Sequence, residues 1–184
     1  GDVYVAGNSS AVAPILNESD TLSSITFFNG DDALILHNLL TGDTLDIIGE
    51  LGIDPGAFWL VGAGATQNFT LVRADSVQQG TTDWALSVTQ WVVYPMDTFM
   101  YLGSHTMTSC GPPPPPTGTG PCVNLFFSEY IEGSSSNKAL EIYNPTGVDV
   151  DMSDYVIYRA NNGSPTPTES IFPVGTVLAG DVFV

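Results

Sequence analysis

With 184 residues, 43% of them hydrophobic, the chain is long enough for one or two domains with a packed core. Only 3 Lys and Arg stand against 20 Asp and Glu, for a formal charge of −17. Such a field repels nucleic acid and anionic membrane surfaces, which are bound through clustered Lys and Arg. No apolar run reaches the ~18 residues needed to cross a bilayer, and no basic stretch followed by an apolar one opens the chain, so a soluble mature piece without anchor or export signal is expected.

In chain order, the opening peptide Gly1 to Val5 (GDVYV) leads into an expected strand over Val3 to Ala6. One or two helical turns are expected around Ser10 to Leu16, where Pro14 limits extension. Three apolar runs follow, Ser24 to Phe28, Ala33 to Leu40 and Thr44 to Leu51, separated by Asn29-Gly30-Asp31-Asp32 and by Thr41-Gly42-Asp43. Asn-Gly tolerates the positive φ angles of tight hairpins, so these runs are expected to form a meander. Further strands are expected over Asn68 to Ala74, Leu86 to Tyr94, Leu125 to Glu132, Ala139 to Tyr143, Tyr155 to Arg159 and Thr176 to Leu178. Many short strands with Gly, Asn and Pro between them point to an all-β chain folded as a β-sandwich.

Two cysteines, Cys110 and Cys122, bracket the sequence GPPPPPTGTGP. In an oxidising compartment they could close a loop of about a dozen residues, constraining the unfolded chain by roughly 3 kcal/mol; two unpaired thiols, or a bond to another chain, are the alternatives. Five consecutive prolines make a polyproline II rod of ~15 Å. Residues 105–121 therefore read as a stiff linker between two units, 1–104 and 121–184.

The chain carries its opening peptide twice: Gly180 to Val184 reads GDVFV, so the strand-like pentapeptide recurs 179 residues after Gly1 with Phe183 in place of Tyr4. That is the pattern of a tandem array cut at one repeat plus a short overlap. A resemblance supports the same frame. The segments Phe126-Phe127-Ser128-Glu129-Tyr130-Ile131-Glu132-Gly133, Asn137-Lys138-Ala139-Leu140-Glu141-Ile142-Tyr143-Asn144 and Asp154-Tyr155 resemble the opening of a bacterial lamin-tail domain. Phe28-Asn29-Gly30-Asp31-Asp32-Ala33, Asp46-Ile47-Ile48-Gly49, Asp54-Pro55-Gly56, Thr70-Leu71-Val72-Arg73, Asp97-Thr98-Phe99 and Leu102-Gly103-Ser104-His105-Thr106 resemble its middle and end. The resemblance implies an immunoglobulin-like sandwich of lamin-tail type, split across the Pro-rich linker and in rotated order. Residues 1–104 would be the rear of one domain and 121–184 the front of the next. Each part alone would leave sheet edges unpaired, and an open edge recruits another strand. Either successive copies complete one another head to tail, with Gly1 to Val5 and Gly180 to Val184 as the assembly ends, or the two parts close on each other within one chain. The first is the arrangement expected here.

Residues that could carry chemistry are few. Asp31 and Asp32 beside a glycine turn, and Glu129 and Glu132 in a carboxylate-rich motif, are candidate calcium ligands. Their spacing matches no EF-hand loop, and the competing reading has the aspartates capping turn amides and the glutamates pairing with cations. Arg73 and Lys138, two of the three basic residues, are expected to form internal structural ion pairs. The two histidines, His37 and His105, stand apart, and neither GxSxG nor HExxH is present, so no catalytic role is assigned and no cofactor beyond calcium is considered. Trp59, Trp84 and Trp91 could furnish a sugar-stacking face, although aromatic residues more often fill cores.

The function expected from these features is a non-catalytic structural or adhesive repeat of an extracellular, cell-surface fibre or giant adhesin. Its partners would be further copies joined head to tail and a surface or glycan target, without nucleic acid or membrane insertion. The resemblance also admits an accessory module of a secreted hydrolase such as a nuclease. A calcium- or carbohydrate-binding adhesin domain is the third reading.

Overall fold

A computed structural model of the chain describes residues 2–108 and 121–179. Its strands are β1 (Val3–Gly7), β2 (Thr21–Leu22), β3 (Ala33–Asn38), β4 (Asp43–Ile48), β5 (Leu60–Val61), β6 (Gly64–Ala65), β7 (Phe69–Arg73) and β8 (Trp91–Pro95), then β9 (Phe126–Glu132), β10 (Lys138–Tyr143), β11 (Val150–Asp151), β12 (Tyr155–Ala160), β13 (Glu169–Ile171) and β14 (Thr176–Val177). Two short helices, α1 (Ala13–Glu18) and α2 (Trp84–Ser87), complete the regular structure together with short 3-10 turns. The fold is an all-β sandwich.

The larger sheet has the order β2-β1-β10-β9-β7-β8 and the smaller the order β13-β12-β3-β4. Both mix strands from either side of the Pro-rich stretch. In the larger sheet β1 pairs with β10, Val3 opposite Tyr143, and β7 pairs with β9, Val72 opposite Glu129. In the smaller sheet β12 pairs with β3, Tyr155 opposite Asn38. These pairings run within one chain, so each segment supplies strands to both layers. Between the layers lies one apolar core: Tyr4, Leu71, Phe127, Tyr130, Leu140 and Ile142 meet Leu34, Leu36, Ile48 and Ile157.

A second apolar layer covers the other face of the larger sheet. Val3, Val5, Phe126, Ile131, Ala139 and Tyr143 pack there with Ala11 and Ile15 from the α1 region and with Phe99, Leu102 and Met107 from the segment after β8. Pro14 sits in the first turn of α1, where its missing N–H breaks no helical bond, and Ser19 Oγ donates to Ile15 O (2.7 Å) at the other end. A Cβ at Gly7 would overlap Ser19 Oγ, so glycine lets the helix end lie against β1.

Two expected strands take other shapes for local reasons. Ser24–Thr26 form a 3-10 turn: Ser23 Oγ accepts from Ile25 N (3.2 Å) and Thr26 Oγ1 donates to Ser23 O (2.6 Å), so hydroxyls occupy the backbone groups a strand would need. The turn still buries Ile25 and Thr26. The meander therefore reduces to the β3–β4 hairpin. Leu86 to Tyr94 divides. Asp83 caps α2 by accepting from Leu86 N (3.3 Å), Val88–Gln90 continue as a 3-10 turn, and only Trp91 onward pairs as β8.

Candidate functional site

Residues forced to carry charge inside this sandwich define its chemistry. Arg73 ends β7 with its side chain wholly buried between the sheets, and Asp46, on β4 of the opposite sheet, is buried with it. Arg73 Nη2 donates to Asp46 Oδ2, Nε to Phe127 O (3.0 Å), and Nη1 to Ser87 Oγ (3.1 Å) and Gln90 Oε1 (2.9 Å). The guanidinium lies 4.0 Å from the Trp91 ring centroid. Asp46 is equally provided for: Phe127 N donates to Oδ2 (2.9 Å), and Thr81 N and Ile47 N donate to Oδ1 (3.0 Å each). Burial alone raises the Asp46 pKa and lowers that of Arg73, and the attraction between the two opposes both shifts. The pair joins β4 of one sheet to β7 and β9 of the other and holds α2 through Ser87.

Lys138 opens β10. Its Nζ donates to Phe28 O (2.7 Å) and pairs with Glu132, whose other carboxylate oxygen accepts from Asn68 N. Arg159, on β12, lies 3.9 Å from Asp32 and 3.7 Å from Glu169. All three Lys and Arg of the chain are thus buried or nearly so, each against a carboxylate. No basic side chain remains to present positive charge to an anionic ligand.

The calcium candidates go separate ways. Asp32 faces Arg159 and accepts from Asn162 N (3.1 Å), Glu132 binds Lys138, and with its amide oriented to donate Asn162 Nδ2 reaches both Asp31 (3.2 Å) and Asp32 (3.3 Å). Among the described residues no group of three or more His, Cys, Asp or Glu is placed to hold a metal ion.

Glu129 is different. It is buried on β9 with neither carboxylate oxygen hydrogen-bonded, and directly opposite it in the ladder stands Glu141 of β10, also buried. Glu141 accepts from Ser128 Oγ (2.7 Å) and from Gly103 N (2.8 Å). A bulge at this point, where Glu141 faces Glu129 but Ile142 faces Phe127, lets Ser128 reach Glu141. Burial, reinforced by Glu141, raises the Glu129 pKa to about 9, and burial raises that of Glu141 to about 7. Glu129 is therefore a neutral acid at pH 7.

His105 is buried against the rings of Tyr143 (5.0 Å between centroids) and Phe126 (5.9 Å), and burial lowers its pKa to about 4. His37 lies far along the other sheet on β3 and meets Thr44 Oγ1 at 3.4 Å. Trp59, Trp84 and Trp91 are all buried in the inter-sheet core, so they build no exposed stacking face. Cys122 is buried and disulfide-bonded, whereas Cys110 lies outside the described residues, as do Gly1 and Gly180 to Val184. Val5 is buried on β1.

Several residues of these clusters escape a reading of the sequence. Asp46 carries a signal, a lone acid inside the apolar run Leu45–Ile48 of a chain with few cations to pair. Ser87, Gln90 and Glu141 carry none, because their roles depend on α2 and on the bulge in β9. In comparisons with known proteins, no family model, no curated protein and no solved structure matches this chain.

Proposed function

We propose that the chain is a non-catalytic structural or adhesive repeat of an extracellular assembly, a lamin-tail-type immunoglobulin-like sandwich whose copies join head to tail. The observation that carries this reading is the meeting of the two ends of the repeat. Leu178 N donates to Asp2 Oδ2 (2.8 Å), and the second copy of the opening peptide begins only two residues further on, at Gly180. An array with that period would feed each copy into the strand position that opens the next.

Three further features agree with it. Both sheets draw on both segments, so the same pairings are available between residues 121–184 of one copy and 1–104 of the next, the geometry of a domain swap through the proline stretch. The disulfide at Cys122 belongs to an oxidising compartment. Every cation is spent inside the fold, which leaves an acidic exterior suited to remaining soluble at high local density.

The test is a protein with two copies fused at the natural period, examined by small-angle scattering and negative-stain microscopy beside the single copy. The reading expects evenly spaced globules joined by stiff connectors, and end-to-end oligomers of the single copy at high concentration. Globules in random relative orientation, with a single copy that stays monomeric at every concentration, would contradict it.

A further inference from the structure

The tyrosines of the chain divide by burial. Of the 7, Tyr4, Tyr130 and Tyr155 are buried between the sheets and Tyr143 in the second apolar layer. Tyr94, Tyr101 and Tyr158 are half-buried, with part of each ring open to solvent. Tyr158 meets the ring of His37 at 6.1 Å between centroids. Tyr94 and Tyr101 meet each other: their centroids lie 4.5 Å apart with the planes inclined by 37°, the near end of the range for packed aromatic pairs.

A turn builds this pair. Tyr94 lies on β8, the edge strand of the larger sheet, opposite Thr70 of β7. The chain then reverses: Thr98 N and Oγ1 both donate to Pro95 O (3.3 and 2.8 Å), Asp97 sits at φ 63°, and Thr70 Oγ1 donates to Thr98 O (3.0 Å). Phe99 and Leu102 pack into the second apolar layer, which holds Tyr101 beside Tyr94. The two rings are aligned by their polar ends, since the Tyr101 hydroxyl, ahead of burial, is what raises the Tyr94 pKa. With the hydroxyls together and the rings in contact, a ring carbon ortho to the oxygen of Tyr94 falls beside its counterpart on Tyr101.

We propose that Tyr94 and Tyr101 form an oxidative cross-linking site, at which a peroxide acting through a haem peroxidase joins the two rings by a carbon–carbon bond. Each phenol gives up one electron and its hydroxyl proton, and the unpaired electron spreads to the ortho carbons. Those two carbons bond, and the hydrogen displaced from each returns to its own oxygen, which restores two phenols. The net loss is two electrons and two protons; with two further protons' worth of hydrogen already on it, the peroxide leaves as two waters. The bond ties the edge strand β8 to the segment that covers the larger sheet, beside the turn held by Asp97. Met96 and Met100, exposed between the two tyrosines, are the competing target, but sulfoxide formation adds oxygen whereas coupling removes hydrogen. The reaction needs one chain only and holds whether or not copies assemble head to tail.

The experiment treats the full chain with hydrogen peroxide and a haem peroxidase, then reduces it and digests it with a protease that cuts before aspartate. Cleavage before Asp97 puts Tyr94 and Tyr101 on separate peptides unless the rings are joined. The expected product is a monomer lighter by two hydrogen atoms, with dityrosine fluorescence, in which the peptide ending at Met96 stays attached to the one beginning at Asp97. Tyr94→Phe and Tyr101→Phe keep the ring packing and should each lower the yield of linked peptide at least tenfold, while Tyr158→Phe should leave it unchanged. A yield undiminished in either of the first two variants would overturn the proposal. So would coupling found only between chains, or oxygen added at Met96 and Met100 with no hydrogen lost.

Discussion

Arg73 and Asp46 show how a buried charge is tolerated: every donor and acceptor facing inward has a partner, and the partners come from both sheets. Removing one member strands the other. Arg73→Ala should cost about 3–5 kcal/mol in urea unfolding, since Asp46 would be left charged or forced to bind a proton, and a loss under about 1 kcal/mol would refute a structural role for the Arg73–Asp46 pair. Glu129 shows the opposite solution, in which the group gives up its charge. Its pKa in the fold, about 9, lies above the ordinary carboxyl value, so its contribution to stability is complete below about pH 4.5 and declines as pH rises through 9. Glu129→Gln should flatten that alkaline decline and raise the urea midpoint at pH 8. An unchanged pH profile would show that the carboxyl is not held neutral. His105 acts on the acid side. With its pKa lowered to about 4, the neutral ring supports the fold above pH 6.5, and that support fades as pH falls toward 4.

At the scale of elements, short hydrogen-bonded turns decide which apolar runs become strands. Asp97, at φ 63°, accepts from Ser134 N (2.9 Å), Ser134 Oγ (2.6 Å) and Asn137 Nδ2 (3.2 Å), and so ties the β9–β10 turn to the segment that covers the larger sheet. Asp97→Ala should cost on the order of 1–3 kcal/mol and speed amide exchange in Leu102 and Gly103; unchanged exchange there would sever the link. The strands visible in the sequence are those with long β-branched or alternating runs, such as Ala33–Asn38, Phe69–Arg73, Phe126–Glu132 and Tyr155–Ala160. Runs rich in Ser and Thr misled, because at Ser23 and Thr26 the hydroxyls compete for the backbone, and at Asp83 a cap starts a helix inside an apolar run. Two-residue strands such as Leu60–Val61 and Val150–Asp151 leave no periodic trace at all. The ion-pairing cations stand out by rarity alone. Their carboxylate partners are less distinct: Asp46 is marked only by its place inside an apolar run and Glu132 only by its carboxylate-rich motif, in a chain with 20 acids.

The whole molecule is held together by pairings that cross from residues 2–108 to 121–179, and its charge is distributed accordingly. With Arg73, Lys138 and Arg159 turned inward, the acidic exterior repels itself. Sodium chloride between low and half-molar concentration should therefore raise the melting temperature by screening, and a fall would contradict this charge distribution. The crossing pairings are tested most directly by cleaving the full chain at a protease site placed within residues 112–116 and reducing its disulfide, then following it by native mass spectrometry and thermal unfolding. A single 1:1 complex of the two fragments, melting cooperatively, is the predicted result. Fragments that separate, each retaining its own fold, would contradict a shared sandwich.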